Sequence, residues 1–309
     1  MKLITVISGC YNEAENLREF IDRAQAVFSR LPQYRHELIV IDNASTDESA
    51  NILRELAASR SWLKVILNAR NFGHVRSPYY ALLQGHGDAV IGLASDLQDP
   101  PELIPQFLEK WESGFKAVVG VKEQSEETPI FFLIRRAYYR LASKLAETDL
   151  IENFTGFGLY DQAIVSVCRS LNDPYPYFRG MISEIGFPAA RIPYRQPSRK
   201  RGLTKNNFYT LYDLAMLGLT SHSKVPLRLA TMLGFAMSFL SLFVAIGYLF
   251  YKLLFWQTFS AGMAPVVIGL FLFSSVQLFF IGILGEYIGA IHTQVLRRPL
   301  VVEKERINF

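Results

Sequence analysis

Cysteine is scarce in this sequence of 309 residues, which has only Cys10 and Cys168. Two distant cysteines form neither a clustered metal site nor a disulfide framework, and they suit a reducing compartment. A glycine-rich dinucleotide fingerprint is also lacking after the first apolar run, residues 4–8, which disfavours an NAD-binding domain. Because Met1-Lys2 leads straight into the strand-like residues 3–8 with no small-residue cleavage site, we expect no signal peptide.

Charge is missing from two long stretches, residues 229–251 and 253–285. A helix needs roughly 20 apolar residues to cross a hydrocarbon core about 30 Å thick, and each stretch is long enough. The alternative is a buried helical hairpin in a soluble protein, which is rare at this length. The pattern therefore predicts two transmembrane helices, with Lys252 and residues 256–264 as the turn between them.

Positive charge lies on one side of this hairpin and is nearly absent from the turn; the flanking residues are Lys224, Arg228, Arg297, Arg298, Lys304 and Arg306. The positive-inside rule then predicts a multi-pass protein of the inner (plasma) membrane, with the catalytic domain and both termini in the cytoplasm. The net charge of +4 is modest, and a membrane surface explains it better than nucleic acid does. We expect no nucleic-acid partner and leave homo-oligomerisation open.

The first 125 residues or so alternate between apolar runs and amphipathic stretches. The predicted strands are residues 4–8, 37–41, 63–67, 89–94 and 117–121, and the predicted helices are 15–31, 47–59, 76–84 and 102–113. Strands separated by helices imply right-handed crossovers and a mostly parallel sheet covered on both faces. In such a sheet, ligands bind beyond the carboxyl ends of the strands.

Polar residues follow four successive predicted strands at those ends; the candidates are Tyr11, Asn12, Glu13, Asp42, Ser45, Asp47, Asn71 and Gly73. Helix capping explains part of this pattern, because Asn12 or Glu13 could cap the first helix and Ser45 or Thr46 the second. Capping does not require an acid at Asp42. An acid after the second strand is the usual contact for ribose hydroxyls in nucleotide-binding sheets.

The fourth strand ends in "ASDLQDPPEL", where two acids and an amide precede two prolines. A simple turn is one interpretation, because aspartate favours turns and proline ends strands. The other is an oxygen-ligand site for a divalent ion that holds a phosphorylated substrate. Asp96, Gln98 and Asp99 are the residues in question.

Four ordered motifs, "CYNEAENL", "IDNASTD", "ARNFGH" and "SDLQDPPEL", resemble the family-2 glycosyltransferases of GT-A fold. With the apolar hairpin, the chain resembles the branch that moves a monosaccharide from a nucleotide sugar, UDP-glucose or similar, to polyprenyl (undecaprenyl) phosphate with inversion. The resemblance implies that Tyr11, Glu13 and Asp42 contact the nucleoside. It implies that Asp96 and Gln98 are ligands of Mg²⁺ or Mn²⁺ on the diphosphate, and we predict Asp96 and Asp99 as the catalytic residues.

Two departures from the family pattern stand out. Where relatives often have Asp-x-Asp, this chain reads Ala94-Ser95-Asp96, so the first acid is missing. The segment "NFTGFGLYD", residues 153–161, is glycine-rich where relatives often have an acid and an arginine, and Asp161 is its nearest acid. Whether Asp161 assists catalysis stays open. The metal would then rest on Asp96, Gln98, the nucleotide phosphates and water, which Mg²⁺ accepts.

A phosphate acceptor is already anionic near neutral pH, so it needs cationic groups more than a general base. The candidates for contacts with its phosphate are Arg179, Arg199, Arg201 and Lys205. The alternative for the basic run is a solvated loop that faces the membrane. Residues 129–147 and 206–224 mix aromatic, apolar and basic side chains, and we expect helices in the headgroup layer there.

These inferences define four regions: a GT-A domain with acceptor-side loops at residues 1–205, a juxtamembrane amphipathic helix at 206–228, two transmembrane helices at 229–289, and a cytoplasmic tail at 290–309. Two other functions remain. A polysaccharide synthase is weakened because the sequence has no Gln-x-x-Arg-Trp motif. An inactive scaffold that binds nucleotide or lipid carrier is suggested by the missing acid.

Overall fold

The computed structural model describes residues 1–123, 151–197, 208–255 and 263–309. Within these ranges eight strands form one sheet. They are β1 (Lys2–Cys10), β2 (Tyr34–Asp42), β3 (Leu63–Asn68), β4 (Ala89–Gly92), β5 (Ala117–Lys122), β6 (Phe154–Asp161), β7 (Ala189–Tyr194) and β8 (Glu303–Ile307). The helices are α1 (Ala14–Phe28), α2 (Ser49–Ser59), α3 (Gly73–Gln84), α4 (Ile104–Glu112), α5 (Gln162–Leu171), α6 (Phe178–Ile185), α7 (Phe208–His222), α8 (Val225–Leu254) and α9 (Met263–Leu296).

The strands are ordered β7-β5-β6-β4-β1-β2-β3-β8. Strands β1 to β4 are mutually parallel, as predicted, because the intervening helices return the chain to the same edge each time. The chain steps outward from β1 to β2 and β3 and then crosses to β4 on the other side of β1. The carboxyl ends of β1 and β4 therefore form the topological switch point, where ligands bind in such sheets.

Apolar side chains from alternate strand positions build a core on each face of the sheet. One cluster packs beneath α1, α2 and α4 and includes Phe20, Leu53 and Phe107. The other packs beneath α3, α5 and α6 and includes Tyr79 and Ile164. A sheet covered on both faces needs nearly continuous apolar strands, and all four residues of β4 are buried. The predicted α/β class and its first five strands are confirmed.

Strand β6 was not predicted, and it makes the sheet mixed. It lies antiparallel between β4 and β5 and comes from the glycine-rich segment 153–161. A Cβ on Gly158 would lie 2.5 Å from the carbonyl oxygen of Val118, so this glycine serves close strand packing. Gly156 adopts a φ of +102°, a conformation that side-chain-bearing residues rarely adopt, so it serves the backbone geometry of the strand.

Helices α8 and α9 contain 30 and 34 residues and correspond to the two uncharged stretches. In the described part of the chain, these two helices are long and apolar enough to cross a membrane, and neither apolar window is buried in the protein. Helix α7 precedes them, within the predicted headgroup segment 206–224. The other such segment, residues 129–147, lies outside the described residues.

The segment 290–309 differs from the expected tail. Helix α9 continues into it, and β8 then pairs antiparallel with β3 as the last strand of the sheet. Arg54 Nη2 contacts Glu305 Oε2 at 2.7 Å, which ties the strand to α2. Arg306, expected as a charge that flanks the membrane, instead pairs with Glu303 of the same strand. The domain boundaries otherwise remain a prediction.

Candidate active site

A cavity of about 640 Å³ opens at the switch point, beyond the carboxyl ends of β1 and β4. Seven of the predicted site residues line it together with Arg179: Tyr11, Glu13, Asn71, Gly73, Asp96, Gln98 and Asp99. Asn12, Asp42, Ser45 and Asp47 are not among the lining residues. These seven residues come from three separate loops, after β1, β3 and β4, because the carboxyl ends of parallel strands lie on the same side of the sheet.

The four predicted residues outside the cavity wall connect the loops after β1 and β2. Asp42 is 2% exposed, and its two oxygens accept hydrogen bonds from the Ser45 amide at 3.0 Å and hydroxyl at 2.5 Å. The Ser45 hydroxyl accepts from the Asn12 amide at 2.8 Å. Asp47 accepts from the Ala14 amide at 3.2 Å. The side chains therefore fix the loop shape, while contact of Asp42 with a nucleoside stays a prediction.

Burial raises the pKa of Asp42, even though hydrogen bonds from Ser45 favour its ionised form. For Asp47 the balance is reversed: burial opposes ionisation, but hydrogen bonds from Ser49 and Ala14 lower its pKa. Neither α1 nor α2 has a side-chain hydrogen bond from its N-cap residue, so the capping alternative is not observed for Asn12, Glu13 and Ser45. Asn12 and Ser45 join the two loops instead, while Asp47 accepts from the Ser49 amide at the start of α2.

Asn43 was missed in the sequence, although it lines the cavity. Its Nδ2 donates to Asn71 Oδ1 at 2.9 Å and to the carbonyl of Gly73 at 3.2 Å. Its Oδ1 accepts from the Phe72 amide at 2.8 Å and from Asn68 Nδ2 at 3.1 Å. Asn43 therefore holds the loop after β3 in place. The sequence signal that could have identified Asn43 is a polar residue directly after the apolar run of β2.

The loop after β4 presents Asp96 and Gln98 to the cavity. Leu97 between them has a φ of +63°, and the Gln98 amide donates to Asp96 Oδ1 at 3.1 Å. The hydroxyl of Ser95 donates to the carbonyl of Gly9 at 2.9 Å, which anchors the loop to β1. Among the described residues, no group of three or more His, Cys, Asp or Glu side chains could hold a metal ion.

Asp99 lies behind this loop and is 7% exposed. Its Oδ1 accepts from the Tyr194 hydroxyl at 3.0 Å and its Oδ2 from the Ala94 amide at 3.1 Å. Burial, together with the charge of Asp96, raises the pKa of Asp99 to about 6. Both oxygens of Asp99 are therefore engaged within the protein, and its catalytic role stays a prediction.

This raised pKa predicts a pH-dependent stability. The folded state holds the Asp99 proton up to pH of about 6, whereas an unfolded aspartate loses it near 3.8. Stabilisation by this group is therefore complete below pH 3.8 and disappears as pH rises to 6, by on the order of 2–3 kcal/mol. Asp99→Asn should lack this loss in thermal unfolding from pH 4.5 to 8. The prediction fails if the difference in Tm between Asp99→Asn and wild type is the same at every pH. Tyr194→Phe removes a hydrogen bond that lowers the pKa of Asp99, so it should move the loss of stability to higher pH.

Asp161 faces away from the cavity. It pairs with Ala89 at the amino end of β4, and its Oδ1 accepts from the Ala163 amide at 3.0 Å at the start of α5. Trp111 Nε1 and Lys116 Nζ both contact its Oδ2, at 2.8 and 3.0 Å. Asp161 therefore caps α5 and forms an ion pair with Lys116, at the end of the strands opposite the cavity. The residues of β6 that line the cavity are Thr155, Gly156, Phe157 and Tyr160.

Arg179, at the start of α6, is the predicted acceptor residue that the structure describes, and it lines the cavity. Arg199, Arg201 and Lys205 lie outside the described residues. The protein around the His74 ring and the charge of Arg179 lower the pKa of His74, so this histidine is neutral near pH 7. The cavity thus has carboxylate and amide groups on the β4 side and a cation on the α6 side.

Residues 5–167 match the model of the family "Glycosyl transferase family 2". The chain belongs to glycosyltransferase family 2. "Uncharacterized glycosyltransferase YkcC" of Bacillus subtilis is 31% identical over 302 residues, with 96% of this chain and 92% of that protein covered. The "SfII prophage-derived bactoprenol glucosyl transferase" of Shigella flexneri is 29% identical, with 98% and 97% covered.

Among solved structures, "Mannosyltransferase PcManGT from Pyrobaculum calidifontis in complex with GDP-Man and Mn2+" is 16% identical to this glycosyltransferase. The alignment covers 94% of this chain and 86% of the PcManGT chain, with a TM-score of 0.46. The family match extends from β1 into α5 and includes the whole loop after β4. The glycosyltransferase activity and the GT-A fold class implied by the four motifs are confirmed.

Proposed function

We propose that this glycosyltransferase moves a monosaccharide, glucose from UDP-glucose or a similar donor, onto the phosphate of a polyprenyl carrier at the membrane. The observation that supports it most is the position of the cavity. The segment that follows α5 lines the cavity at Pro176–Arg179 and reaches the membrane-length helix α9 through Asp173, whose Oδ1 accepts from Gln294 Nε2 at 2.8 Å. A lipid-borne acceptor could therefore approach from the side of α9.

The donor nucleotide would lie over the ends of β1 to β3, where Tyr11, Glu13, Asn71 and Gly73 line the cavity. Asn12, Asp42, Ser45 and Asp47 would support that surface from behind. The names of relatives favour glucose as the sugar and bactoprenol as the carrier, since several are bactoprenol glucosyl transferases with almost the whole chain covered. Neither α8 nor α9 buries its apolar window in the protein, as expected for helices in lipid.

A divalent ion, Mg²⁺ or Mn²⁺, fits the residues of the loop after β4. Asp96 and Gln98 face the cavity next to Asp99, whose oxygens are engaged by Tyr194 and Ala94, and such a sparse oxygen set suits an ion that keeps waters and binds substrate phosphates. When bound, the ion would neutralise the charge that develops on the leaving diphosphate. Asp99, which accepts from the Tyr194 hydroxyl and the Ala94 amide, would fix the shape of the loop that carries Asp96.

In the proposed reaction, an oxygen of the acceptor phosphate bonds to the anomeric carbon as the bond from that carbon to the nucleotide diphosphate breaks. The configuration inverts, and the diphosphate leaves with the electron pair. Because the phosphate is already anionic, no proton has to be removed by a base. The position of Asp161, beside the amino end of β4 and away from the cavity, agrees with a reaction that needs no base. The reaction needs a cationic side chain that holds the acceptor's phosphate, and we propose Arg179, which lines the cavity, for that role.

The test is to incubate the purified full chain in detergent with a panel of radiolabelled nucleotide sugars, Mg²⁺ or Mn²⁺, and undecaprenyl phosphate. Formation of one labelled lipid that mild acid hydrolyses would support the proposal. Binding of a nucleotide diphosphate without transfer to any acceptor would favour the inactive scaffold. Growth of a polymer would favour the polysaccharide synthase. A reporter after Phe309 should report cytoplasm if the predicted topology is right.

A further inference from the structure

A second hollow, which we call the membrane-side groove, lies between α7 and α9. It has a volume of about 470 Å³, and its lining includes Tyr175, Asp213 and Glu286. From Gly282 to Gln294 the groove follows α9 for 12 helical steps, about 18 Å at 1.5 Å per residue. It therefore extends from the apolar span to the catalytic domain.

The groove and the catalytic cavity share a wall. Tyr175 lines the groove, and the next four residues, Pro176–Arg179, line the cavity. The Tyr175 amide donates to Asp173 Oδ1 at 2.9 Å, and this same oxygen accepts from Gln294 of α9. The wall is thus fixed to the membrane-length helix. A ligand that passes from the groove to the cavity must cross this segment.

Arg76 lies against this wall from the side of α3. Its guanidinium carbon is 5.2 Å from the centroid of the Tyr175 ring, and its neighbours Val75 and Ser77 line the cavity. Its Nε is buried and has no hydrogen-bond partner. Arg76 as a whole is half-buried, but a buried donor is normally hydrogen-bonded, so this unpartnered Nε needs an explanation.

No carboxylate supplies that pairing in the described residues, where the ion pairs involve neither Arg76 nor Arg179. On the groove side of the wall the carboxylates are Asp213 and Glu286, and Glu286 Oε1 accepts from the Tyr212 hydroxyl at 2.8 Å. The carboxylate of Asp173 lies in the wall itself and accepts from Tyr175 and Gln294. The two arginines lie on the α3 and α6 side of the wall, whereas the acids of the cavity follow β1 and β4.

We propose that Arg76 is a second phosphate-binding cation beside Arg179, and that the two arginines hold the acceptor's phosphate where the groove meets the cavity. The inference rests on the proposed function and deepens it, since it adds a residue to the acceptor site and sets the direction in which the prenyl phosphate enters. Arginine suits this role because its planar guanidinium makes two parallel bonds to phosphate. Stacking on Tyr175 orients that plane.

The positions of these charges orient the ligand. The neutral prenyl chain lies along the groove, whose carboxylates repel the phosphate and leave it at the arginines. Arg76 differs from the residues of the basic run because it comes from α3, directly after the loop that Asn43 holds. The proposed acceptor residue Arg76 therefore follows directly in the chain after the loop that we expect to bind the donor.

The test compares Arg76→Gln and Arg76→Lys with Arg70→Gln. Arg70 is a matched control because its guanidinium also stacks on an aromatic ring, 4.0 Å from the centroid of Phe72, but it is exposed on the preceding loop. Arg76→Gln should raise the KM for undecaprenyl phosphate roughly tenfold to a hundredfold, the effect of losing a charge-assisted hydrogen bond. Nucleotide affinity by calorimetry and the Tm should stay unchanged. Arg76→Lys should recover part of the loss, and Arg70→Gln should match wild type.

A short, water-soluble prenyl phosphate separates a phosphate site from general attraction to anionic lipid. If Arg76 binds the acceptor's phosphate, Arg76→Gln raises the KM for short and long acceptors by the same factor, and inorganic phosphate inhibits wild type more than the variant. If the short acceptor is unaffected, or if Arg76→Gln equals wild type with both, the inference is overturned. A wild-type enzyme that uses no prenyl phosphate would instead refute the proposed function, so the two failures are distinguishable.

Discussion

Replacing Asp96 by asparagine should lower the rate of glycosyl transfer by at least about a thousandfold while the protein still folds and inserts into membranes. Asp96 and Asp99 of the loop after β4 both line the cavity, but Asp99 is engaged by Tyr194 and Ala94, so Asp96 is the carboxylate that we expect to meet the metal. Loss of one group that stabilises developing charge costs about 10²–10³ in rate, and loss of a metal ligand adds to this. Asparagine keeps an oxygen for the Gln98 amide, so the loop should hold its shape.

The measurement is the initial rate at saturating donor and acceptor, with Mg²⁺ or Mn²⁺ titrated from zero. Asp88→Asn is a suitable control, because Asp88 lies at the opposite end of the same strand and accepts from the Leu3 amide at 2.7 Å. It should change the Tm and leave the metal dependence of transfer unchanged. An Asp96→Asn enzyme that retains most of the wild-type rate would remove Asp96 from the site.

Replacing Asn43 by alanine should have the second largest effect, on both stability and donor binding. Asn43 is 5% exposed, and its side chain makes the four hydrogen bonds that hold the loop after β3. Alanine leaves these partners without bonds, and each buried unpaired group costs about 1–3 kcal/mol unless water replaces the bond. We expect a loss of roughly 2–4 kcal/mol in the free energy of unfolding.

Donor affinity should fall along with stability, because Asn71 and Gly73 line the cavity and depend on Asn43 for their positions. Calorimetry with the nucleoside diphosphate should show a loss of about tenfold to a hundredfold, equivalent to one or two hydrogen bonds. Asn51→Ala offers the comparison, since Asn51 is an exposed asparagine bonded to Glu48 on α2. If Asn43→Ala kept the wild-type Tm and affinity, the loop would be held by other means.

The positions of many site residues could be predicted because of a property of parallel sheets. Strands β1 to β4 are recognisable as apolar runs, and their carboxyl ends must meet at one edge, so the residues that follow them are neighbours. What each side chain does there was less accessible. Asn43 and Asp42 are adjacent in sequence, yet Asn43 lines the cavity and Asp42 lies behind it. That difference depends on loops about 30 residues away in the chain.

Strands β6 and β8 could not be predicted for physical reasons. Strand β6 contains glycines, which disfavour strands in isolation but are required where the backbones of β4, β5 and β6 approach closely. Strand β8 reads Glu-Lys-Glu-Arg-Ile, without the apolar alternation that marks a strand. Its pairing depends on partners that lie more than 200 residues away, such as Arg54 and Tyr80.

Strand β8 also has a consequence for limited proteolysis. The chain leaves the sheet after β7, forms α7, α8 and α9, and returns to the same sheet as β8, so the hydrophobic hairpin is an insertion between two strands. A single protease cut in residues 198–207 breaks only one of the two connections. The cut enzyme should remain with the membrane pellet through the paired β3 and β8, and a second cut between α9 and β8 should be needed to release the soluble fragment.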